Sequence, residues 1–405
     1  MKPIVRAGRM KPVHSDIRGP LFVEAMKRQK QGIDILKLNT GNPATFGFGL
    51  PDSIKNALME HMQDGVGYCD FKGMPQARQA ICDYETSKDI KGITSDDVFI
   101  GNGVSEVVSF ALTPLLNDGD EVLVPSPSYS LWGNSVYLED GKPVFYTCDE
   151  QANWYPDIQD IRSKITDKTK AIVIINPNNP TGVLYPKEIL LEIIQIAREF
   201  GLLIFADEIY DRLVMDGKQH ISLASLTEDV PVITLNGLSK SHCLCGYRCG
   251  WMVISGPREL TEDYRQGIIQ LTSLRLCANT MAQIVIPAAL DDMETPASMV
   301  RPGGRIYEQR EATVRELEKI DGLSFVKNDA AFYVFPKLDV KKFNITNDKQ
   351  FAHDLLDATN ILLVPGSGFD WKDPDHFRIV MLPQADVLSD AIRRMGTFLD
   401  GYKQK

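Results

Sequence analysis

Three features that would direct the chain to particular partners are missing from its sequence. It has no excess of positive charge, because 44 Lys and Arg residues stand against 54 Asp and Glu residues and give a formal charge of −10. Without a basic surface to neutralise phosphates, we expect no nucleic-acid partner. Its longest apolar runs, such as AIVII and WMVI, fall far short of the roughly 20 residues of a membrane helix, so we expect no membrane association. No apolar segment follows the basic N-terminal residues, so no secretory signal is predicted.

The sequence also lacks a paired or clustered cysteine pattern. Its seven cysteines are an odd number spread through a long chain, which is typical of unpaired thiols in a reducing compartment, and we expect a cytoplasmic location. Cys243, Cys245 and Cys249 lie close in sequence but have neither C-x-x-C spacing nor a fourth ligand in register. We therefore predict no metal site.

Strand-like and helix-like segments alternate through most of the chain. Between residues 97 and 255, seven short apolar runs alternate with helical patterns, such as a helix at 187–200 and one running from the turn at 101–103 through Leu116. The runs lack polar alternation, as expected for strands that helices cover on both faces. They predict an α/β fold whose large domain, residues 49–290, holds a mostly parallel sheet flanked by helices.

The remaining segments predict a second, smaller domain. After residue 255 the patterns are first helical, and then strands are predicted at 332–335, 361–364 and 377–380, with helices near 348–358 and 384–400. We assign residues 291–405 to a small α+β C-terminal domain. Residues 1–48, rich in Gly and Pro after residue 18, are predicted to form an N-terminal arm and part of that small domain.

Polar motifs follow three of the predicted strands. Asp207 and Tyr210 follow the run LLIFA, and ligands in such sheets bind beyond the carboxyl ends of the strands. A carboxylate there can pair with a cationic ring nitrogen, although Asp207 alone could equally cap a helix. The loop NPNNPTG, which contains Asn179, follows AIVII and is by itself only a rigid polar turn.

The third strand end carries a lysine. Ser239 and Lys240 follow a strand-like run, and Arg248 lies eight residues further on between glycines. This pattern offers an amine nucleophile beside anion donors, although surface lysines are far commoner than lysines that form Schiff bases. Upstream, GNGVSE, with Val104 and Ser105, places a glycine turn at the start of a predicted helix. Such a turn binds a phosphate, and the incomplete G-x-G-x-x-G match favours a single phosphate over a dinucleotide.

Together, these motifs resemble those of fold type I pyridoxal-phosphate transferases, specifically the aspartate aminotransferase superfamily. The resemblance rests on N-P-N-N-P-T-G, D-E-x-Y and S-K-x7-R in the proper order and covers essentially the whole chain. Within the superfamily, the segments at 16–20, 38–43 and 302–305 are similar to those of alanine (glutamate–pyruvate) aminotransferases. The resemblance implies pyridoxal 5′-phosphate as cofactor and residues 49–290 as the domain that binds it.

The resemblance also implies catalytic roles. Lys240 would form the Schiff base and then move the proton between the substrate Cα and the cofactor. Asp207 would keep the ring nitrogen protonated. Tyr210 and Asn179 would hydrogen-bond the ring's phenolic oxygen, and Tyr129 would stack on the ring.

Phosphate binding is implied in the same way. Val104, Ser105, Ser239 and Arg248 would hold the phosphate from one chain, and Tyr68 would reach it from a second subunit. The resemblance therefore implies a homodimer with shared active sites.

For the substrates, the resemblance implies amino acids and 2-oxo acids. Arg378 would bind the α-carboxylate with two hydrogen bonds, helped by Gly41 and Asn179. We predict L-alanine and 2-oxoglutarate as the substrates, exchanging to pyruvate and L-glutamate, with Arg18 on a closing N-terminal arm as the cation for the distal carboxylate.

Three alternatives remain open at this point. The enzyme could accept a broader range of amino acids, because Ser15 is smaller than the aromatic residue expected from relatives and residues 241–245 are unusually rich in sulfur. It could be a carbon–sulfur β-lyase, since the fold and cofactor do not fix the reaction. A non-enzymatic effector domain of a transcription regulator is disfavoured by the acidic composition.

Overall fold

The chain forms one large mixed sheet and three small ones in a computed structural model that describes residues 3–405. The first two residues of the predicted N-terminal arm lie outside the described part. The strands are β1 (Leu36–Lys37), β2 (Val98–Asn102), β3 (Glu121–Ser126), β4 (Lys142–Asp149), β5 (Tyr155–Pro156), β6 (Thr169–Ile175), β7 (Leu203–Asp207), β8 (Val232–Gly237), β9 (Cys249–Ser255), β10 (Leu323–Ser324), β11 (Tyr333–Val334), β12 (Lys337–Leu338), β13 (Ile361–Leu362), β14 (Val364–Pro365) and β15 (Phe377–Val380).

Helices precede, separate and follow these strands. They are α1 (Pro20–Lys30), α2 (Asp52–His61), α3 (Pro75–Ser87), α4 (Val104–Leu112), α5 (Leu131–Leu138), α6 (Ile158–Lys164), α7 (Lys187–Phe200), α8 (Leu238–Ser241), α9 (Arg258–Arg275), α10 (Thr280–Ile284), α11 (Ile286–Asp291), α12 (Glu294–Val300), α13 (Arg305–Leu317), α14 (Val340–Phe343), α15 (Asp348–Thr359) and α16 (Ala385–Leu399). No single helix among residues 3–405 is long and apolar enough to cross a membrane, and one bent pair, α9 with Thr280–Asp291, meets that test by length and composition only.

The large sheet has the order β2-β9-β8-β7-β6-β3-β4-β5. Its five central strands, β8 to β4 in that order, run parallel, whereas β9 is antiparallel to both of its neighbours and β5 is antiparallel to β4. Successive residues of β6 alternate between two apolar clusters, with Ile172 and Ile174 packing beside α7 and Val173 and Ile175 packing beside α4 and α5. Helices therefore cover both faces, which confirms the predicted α/β fold with a mostly parallel sheet.

One predicted helix ends where the sequence indicates, and another ends earlier. The helix at 187–200 is confirmed and ends at Gly201, whose φ of +65° is left-handed. The prediction that the helix after the 101–103 turn runs through Leu116 is wrong. That helix, α4, ends at Leu112, because Pro114 has no amide hydrogen and cannot donate the helical hydrogen bond to the carbonyl of Phe110.

The small sheets bring the two ends of the chain together. β1 pairs with β13, and β15 lies between β11 and β14. The single strand predicted at 361–364 is wrong, since Leu363 separates β13 and β14, which pair with different partners. α13, α15 and α16 form an apolar cluster with β13 and β15. Side chains of α1 and residue 35 pack on Leu356 and Leu362. The domain boundaries at 48 and 290 remain predictions.

Candidate active site

Three parallel strands deliver polar residues to one edge of the large sheet. β6, β7 and β8 are neighbours in that order, and Ile175, Asp207 and Leu235 lie side by side in their ladders. The NPNNPTG loop, Asp207 and the segment containing Lys240 therefore begin at the same sheet edge. This is the edge at which parallel α/β sheets bind ligands.

Asp207 is a buried carboxylate that forms no ion pair with any residue in 3–405. Its Oδ2 accepts a hydrogen bond from Trp132 Nε1 at 3.0 Å, and its Oδ1 lies 3.4 Å from the amide nitrogen of Ile209. Burial raises the pKa of Asp207 from 3.8 to about 6. The helix-cap alternative is wrong, because residues 209–212 form turns rather than a helix. A buried carboxylate in this state is suited to a cationic ligand.

The lysine lies across from the loop that holds Gly41. Lys240 is on the short helix α8, half-buried, and its Nζ donates to the carbonyl oxygen of Gly41 at 3.0 Å. The ring of Phe332 lies 5.9 Å from the same nitrogen. The amine therefore has a backbone acceptor and an aromatic neighbour, but no ion-pair partner within residues 3–405.

The first turn of α4 meets Arg248. Gly103, with φ +83°, precedes the helix, and the first two helical amides, of Val104 and Ser105, donate to no residue of the described chain and are free to bind an anion. The Arg248 guanidinium lies so close to Gly103 that a Cβ at Gly103 would be 2.3 Å from its Nη2. A Cβ at Gly250 would lie 2.4 Å from the nitrogen of Val104, so glycine is required there as well. Ser105 is exposed on this turn.

Ser239 occupies a related position on another helix. It is buried in the first turn of α8, beside Lys240 and directly after β8. The structure brings Arg248 to the α4 turn. Together with Ser239, these are the groups that the sequence predicts to bind a phosphate, and we call them the anion-binding set.

Arg378 is the most deeply buried of the predicted site residues that carry a charge. It lies on β15 with 1% of its surface exposed, and within residues 3–405 no carboxylate pairs with it. Its Nη1 donates to Asn179 Oδ1 at 3.0 Å, and its Nη2 donates to the carbonyl of Asn39. Its Nε has no hydrogen-bond partner among the described residues. Burial lowers its pKa. An unpaired buried guanidinium with a free donor is prepared to receive an anion.

Tyr210 and Gly41 share a neighbour that the sequence did not reveal. The hydroxyl of Tyr210 lies 2.8 Å from that of Tyr333, and both side chains are buried. The Tyr333 hydroxyl would be only 2.3 Å from a Cβ at position 41, so only glycine fits there. Trp132, Tyr333 and Asn39 are therefore site residues that sequence reasoning missed. No motif marks them, because their partners lie far away in the chain.

The side chains of three predicted residues form no hydrogen bond with the other site residues among residues 3–405. Tyr129 is partly buried just before α5, and Tyr68 is 83% exposed. Arg18 is exposed in the turn before α1 and forms no hydrogen bond or ion pair with the described chain. The preceding carbonyl, of Ile17, accepts a hydrogen bond from Asn39 Nδ2 at 2.8 Å. Asn39 therefore links the turn of Arg18 to Arg378, because its own carbonyl accepts a hydrogen bond from Arg378 Nη2.

The sulfur-rich segment borders the site. Cys245 Sγ lies 3.1 Å from Asn42 Oδ1, next to Gly41, and burial raises the pKa of Cys243 to about 12. Among the described residues, Cys243, Cys245 and Cys249 do not come close enough together to share a metal ion. A protonated thiol at Cys243 packs as an apolar side chain and is not the nucleophilic form of cysteine.

Comparison with known proteins identifies the family. The family profile described as "Aminotransferase class I and II" matches residues 33–394. The chain belongs to this family. As a class I and II aminotransferase it is an enzyme, which overturns the alternative of a regulatory effector domain. The family implies pyridoxal phosphate, and the unpaired Asp207, the amine of Lys240 and the anion-binding set fit its ring nitrogen, aldehyde and phosphate.

Relatives of this aminotransferase are similar over their full length. The "Glutamate-pyruvate aminotransferase AlaA" of Haemophilus influenzae is 49% identical over 404 residues, which is 100% of each chain. A solved aminotransferase from Escherichia coli is 46% identical, with a TM-score of 0.98 and 100% of each chain covered. A solved "Alanine aminotransferase" from Pyrococcus furiosus is 40% identical, with a TM-score of 0.93, over 98% of this chain and 100% of that one.

Proposed function

We propose that this aminotransferase exchanges the amino group between L-alanine and 2-oxoglutarate, giving pyruvate and L-glutamate, with pyridoxal phosphate bound at Lys240. The names of the full-length relatives support the substrate pair. The observation that carries the proposal is the buried, unpaired guanidinium of Arg378, which shares the Gly41 loop with Lys240. Both substrates have an α-carboxylate that such a group binds.

The residues around the cofactor have separate tasks in this proposal. When bound, the cofactor supplies an aldehyde carbon that takes up amines and a ring that accepts electrons. Lys240 would hold the cofactor at that carbon, and its amine would carry the proton on and off the substrate Cα. Asp207 would keep the ring nitrogen protonated. Tyr210 and Asn179 would donate hydrogen bonds to the phenolic oxygen of the ring, and Tyr129 would stack on the ring.

The substrate's two ends are bound by different groups. Arg378, with Asn179 and the Gly41 loop, receives the α-carboxylate common to all substrates. Arg18 receives the distal carboxylate of glutamate and 2-oxoglutarate and withdraws for alanine. Its exposed position, free of hydrogen bonds within the described chain, and the contact between Ile17 and Asn39 support this assignment.

In this proposal the phosphate would bind to Val104, Ser105, Ser239 and Arg248. Tyr68 of a second subunit would complete the site, so that the enzyme is a homodimer. Large apolar side chains are exposed on one stretch and on a neighbouring helix end, namely Met59, Met62, Val66, Tyr68 and Leu274. Beside Leu274, Arg275 Nη2 donates a hydrogen bond at 3.3 Å to the carbonyl of Phe71, three residues after Tyr68. An exposed apolar surface of this kind is typical of a subunit interface.

A cytoplasmic location, supported by seven free cysteines, belongs to the same proposal.

A product assay with and without the amino acceptor tests the reaction. With L-alanine and 2-oxoglutarate we expect pyruvate and L-glutamate in equal amounts, and with L-alanine alone at most one turnover per site. Release of pyruvate and ammonia from cysteine conjugates without an oxo acid would instead identify a β-lyase. A panel of other amino acids with 2-oxoglutarate tests the alternative of a broader substrate range.

Mixing two inactive variants tests the shared site. Tyr68→Ala and Lys240→Ala damage different contributions to one site, so a mixed dimer contains one intact site. We expect activity to return after subunit exchange that is verified with differently tagged chains. Verified exchange with no recovered activity would contradict the sharing of sites.

A further inference from the structure

One buried side chain touches both the cofactor-facing and the substrate-facing parts of the proposed site. We propose that Tyr333 is a positioning residue that orients the phenol of Tyr210 through its hydroxyl and holds Arg378 through its ring. This inference rests on the proposed function, because it assigns the cofactor to Tyr210 and the substrate carboxylate to Arg378.

The hydroxyl contact is exclusive. Tyr333 and Tyr210 are both 2% exposed, their hydroxyl oxygens lie 2.8 Å apart, and neither oxygen has another hydrogen-bond partner within residues 3–405. Each hydroxyl has one proton to donate. If Tyr210 donates its proton to the cofactor's phenolic oxygen, the remaining contact requires Tyr333 to donate to Tyr210. The donor direction of the pair is then fixed, and a donor that itself receives a hydrogen bond becomes a stronger donor.

The ring contact explains how Arg378 remains buried without a carboxylate. The centre of its guanidinium lies 4.6 Å from the ring centroid of Tyr333 and 4.6 Å from that of Phe369. Aromatic faces attract a cation without occupying its N–H donors. Tyr333 therefore stabilises the charge while the donor at Nε stays free for a ligand.

The position of the hydroxyl is also sterically defined. The hydroxyl lies against Gly41, where a Cβ would leave no space for it. The carbonyl of Gly41 accepts the hydrogen bond from Lys240. The ring of Phe332, which also approaches Gly41, packs against Tyr333 with its centroid 4.8 Å away. The phenol cannot turn away from Tyr210 without displacing one of these neighbours.

Two substitutions separate the two contributions. Tyr333→Phe removes one oxygen and keeps the ring. A hydrogen bond donated to the cofactor's phenolic oxygen favours the state in which that oxygen carries more negative charge, which is the deprotonated state of the bound cofactor. Weakening the donor should raise the pH midpoint of the cofactor's absorbance change by about 0.5 to 1 unit, less than Tyr210→Phe does. The KM for L-alanine should stay within about twofold of the wild-type value.

Tyr333→Leu removes the ring as well. It should give the same shift of the absorbance midpoint and, in addition, raise the KM for L-alanine by about 5- to 20-fold, since Arg378 loses one aromatic face. The matched control is Tyr402→Phe, which removes a hydroxyl that donates to Asp354 at 2.7 Å away from the site. The control should change neither quantity.

The outcomes distinguish this inference from the proposed function. If the wild-type protein forms no coloured complex with pyridoxal phosphate, the proposed function fails. If the wild type titrates normally and Tyr333→Phe leaves the midpoint unchanged, the positioning role of the hydroxyl is wrong. If Tyr333→Leu leaves the KM unchanged in a protein that melts like the wild type, the role of the ring is wrong.

Discussion

Asp207 and Glu208 are neighbours in sequence and both are buried, but only Glu208 has a cationic partner in the described chain. Glu208 lies 3.0 Å from the ammonium of Lys88 and also accepts hydrogen bonds from Ser222 Oγ and the amide of Leu223. The same ammonium lies 3.3 Å from Asp211. Within residues 3–405, the donors to Asp207 are an indole N–H and a turn amide, and neither carries a charge. Burying a charge without a partner is costly, so Asp207 and Glu208 must serve different purposes.

The difference separates charges that stabilise the fold from charges that await a ligand. Glu208, Asp211 and His220 lie close enough together to hold a metal ion, but the ammonium of Lys88 already pairs with both carboxylates. Asp207 and Arg378 have no such internal partner in the described residues. In our account the ring nitrogen of the cofactor and the carboxylate of the substrate supply the missing charges.

The largest effect should come from the amine at the centre of the site. Lys240→Ala removes the group that bonds the cofactor and transfers the proton, so turnover should fall by at least about 10²- to 10⁴-fold. Steady-state formation of pyruvate from L-alanine measures it. Lys142→Ala, at an exposed lysine paired with Glu121, is the control and should keep full activity. Turnover by Lys240→Ala close to that of the control would contradict the assignment.

Replacing Lys88, which pairs with buried carboxylates, should affect stability, whereas replacing Arg378, which pairs with none in the described chain, should affect substrate binding. Lys88→Met leaves buried carboxylates unpaired and should lower the free energy of unfolding by about 3 to 5 kcal/mol. Arg378→Met breaks no ion pair and should cost only about 1 to 2 kcal/mol, from the acceptors of Asn179 and Asn39, while it raises the KM for L-alanine at least about 100-fold. Thermal melting and steady-state kinetics measure both variants. Equal losses of stability would remove the distinction between the two sets.

Asp207 should make the cofactor-free protein less stable as the pH rises. Its pKa is about 6 in the folded chain and 3.8 ordinarily, so ionisation costs the folded state free energy between about pH 4 and pH 6. In the cofactor-free protein, Asp207→Asn should therefore raise stability only slightly at pH 4 and by roughly 3 kcal/mol above pH 6. The same variant should bind the cofactor more weakly than the wild type does. A stability difference that does not vary with pH would show that the carboxylate is not strained by burial.

The smallest effect should come from the arm. Arg18→Ala removes a cation that only dicarboxylates use, so the KM for 2-oxoglutarate and L-glutamate should rise about 3- to 10-fold while that for L-alanine is unchanged. Arg9→Ala, in the same segment but paired with Asp140, is the control. If no KM changes, Arg18 has no part in recognising the distal carboxylate.

The sheet and its edge could be predicted from the sequence because their signals are local. Apolar runs such as Ala171–Ile175 mark buried strands, and the polar residues that follow them lie at the strand ends. Helix 187–200 was predictable because its apolar positions recur with helical spacing and Gly201 ends it. The end of α4 was mispredicted because the apolar pattern continues past Leu112, whereas Pro114 determines the backbone.

The contacts that complete the site could not be predicted, because they join distant parts of the chain. Trp132 and Asp207 are 75 residues apart, and Tyr210 and Tyr333 are 123 apart. The carbonyl of Asn39 and Arg378 are 339 apart. Nothing in a short motif shows which tryptophan or tyrosine folding will bring to a carboxylate or phenol. Similarly, the break between β13 and β14 depends on two different strand partners.

Reduction of the cofactor-loaded protein with borohydride, followed by peptide mapping, tests the central claim most directly. The reagent fixes the cofactor to the amine that bonds it. We predict that the modified peptide contains Lys240 and that Lys88, paired within the chain, is unmodified. Modification of Lys88 or any other lysine in place of Lys240 would contradict the account.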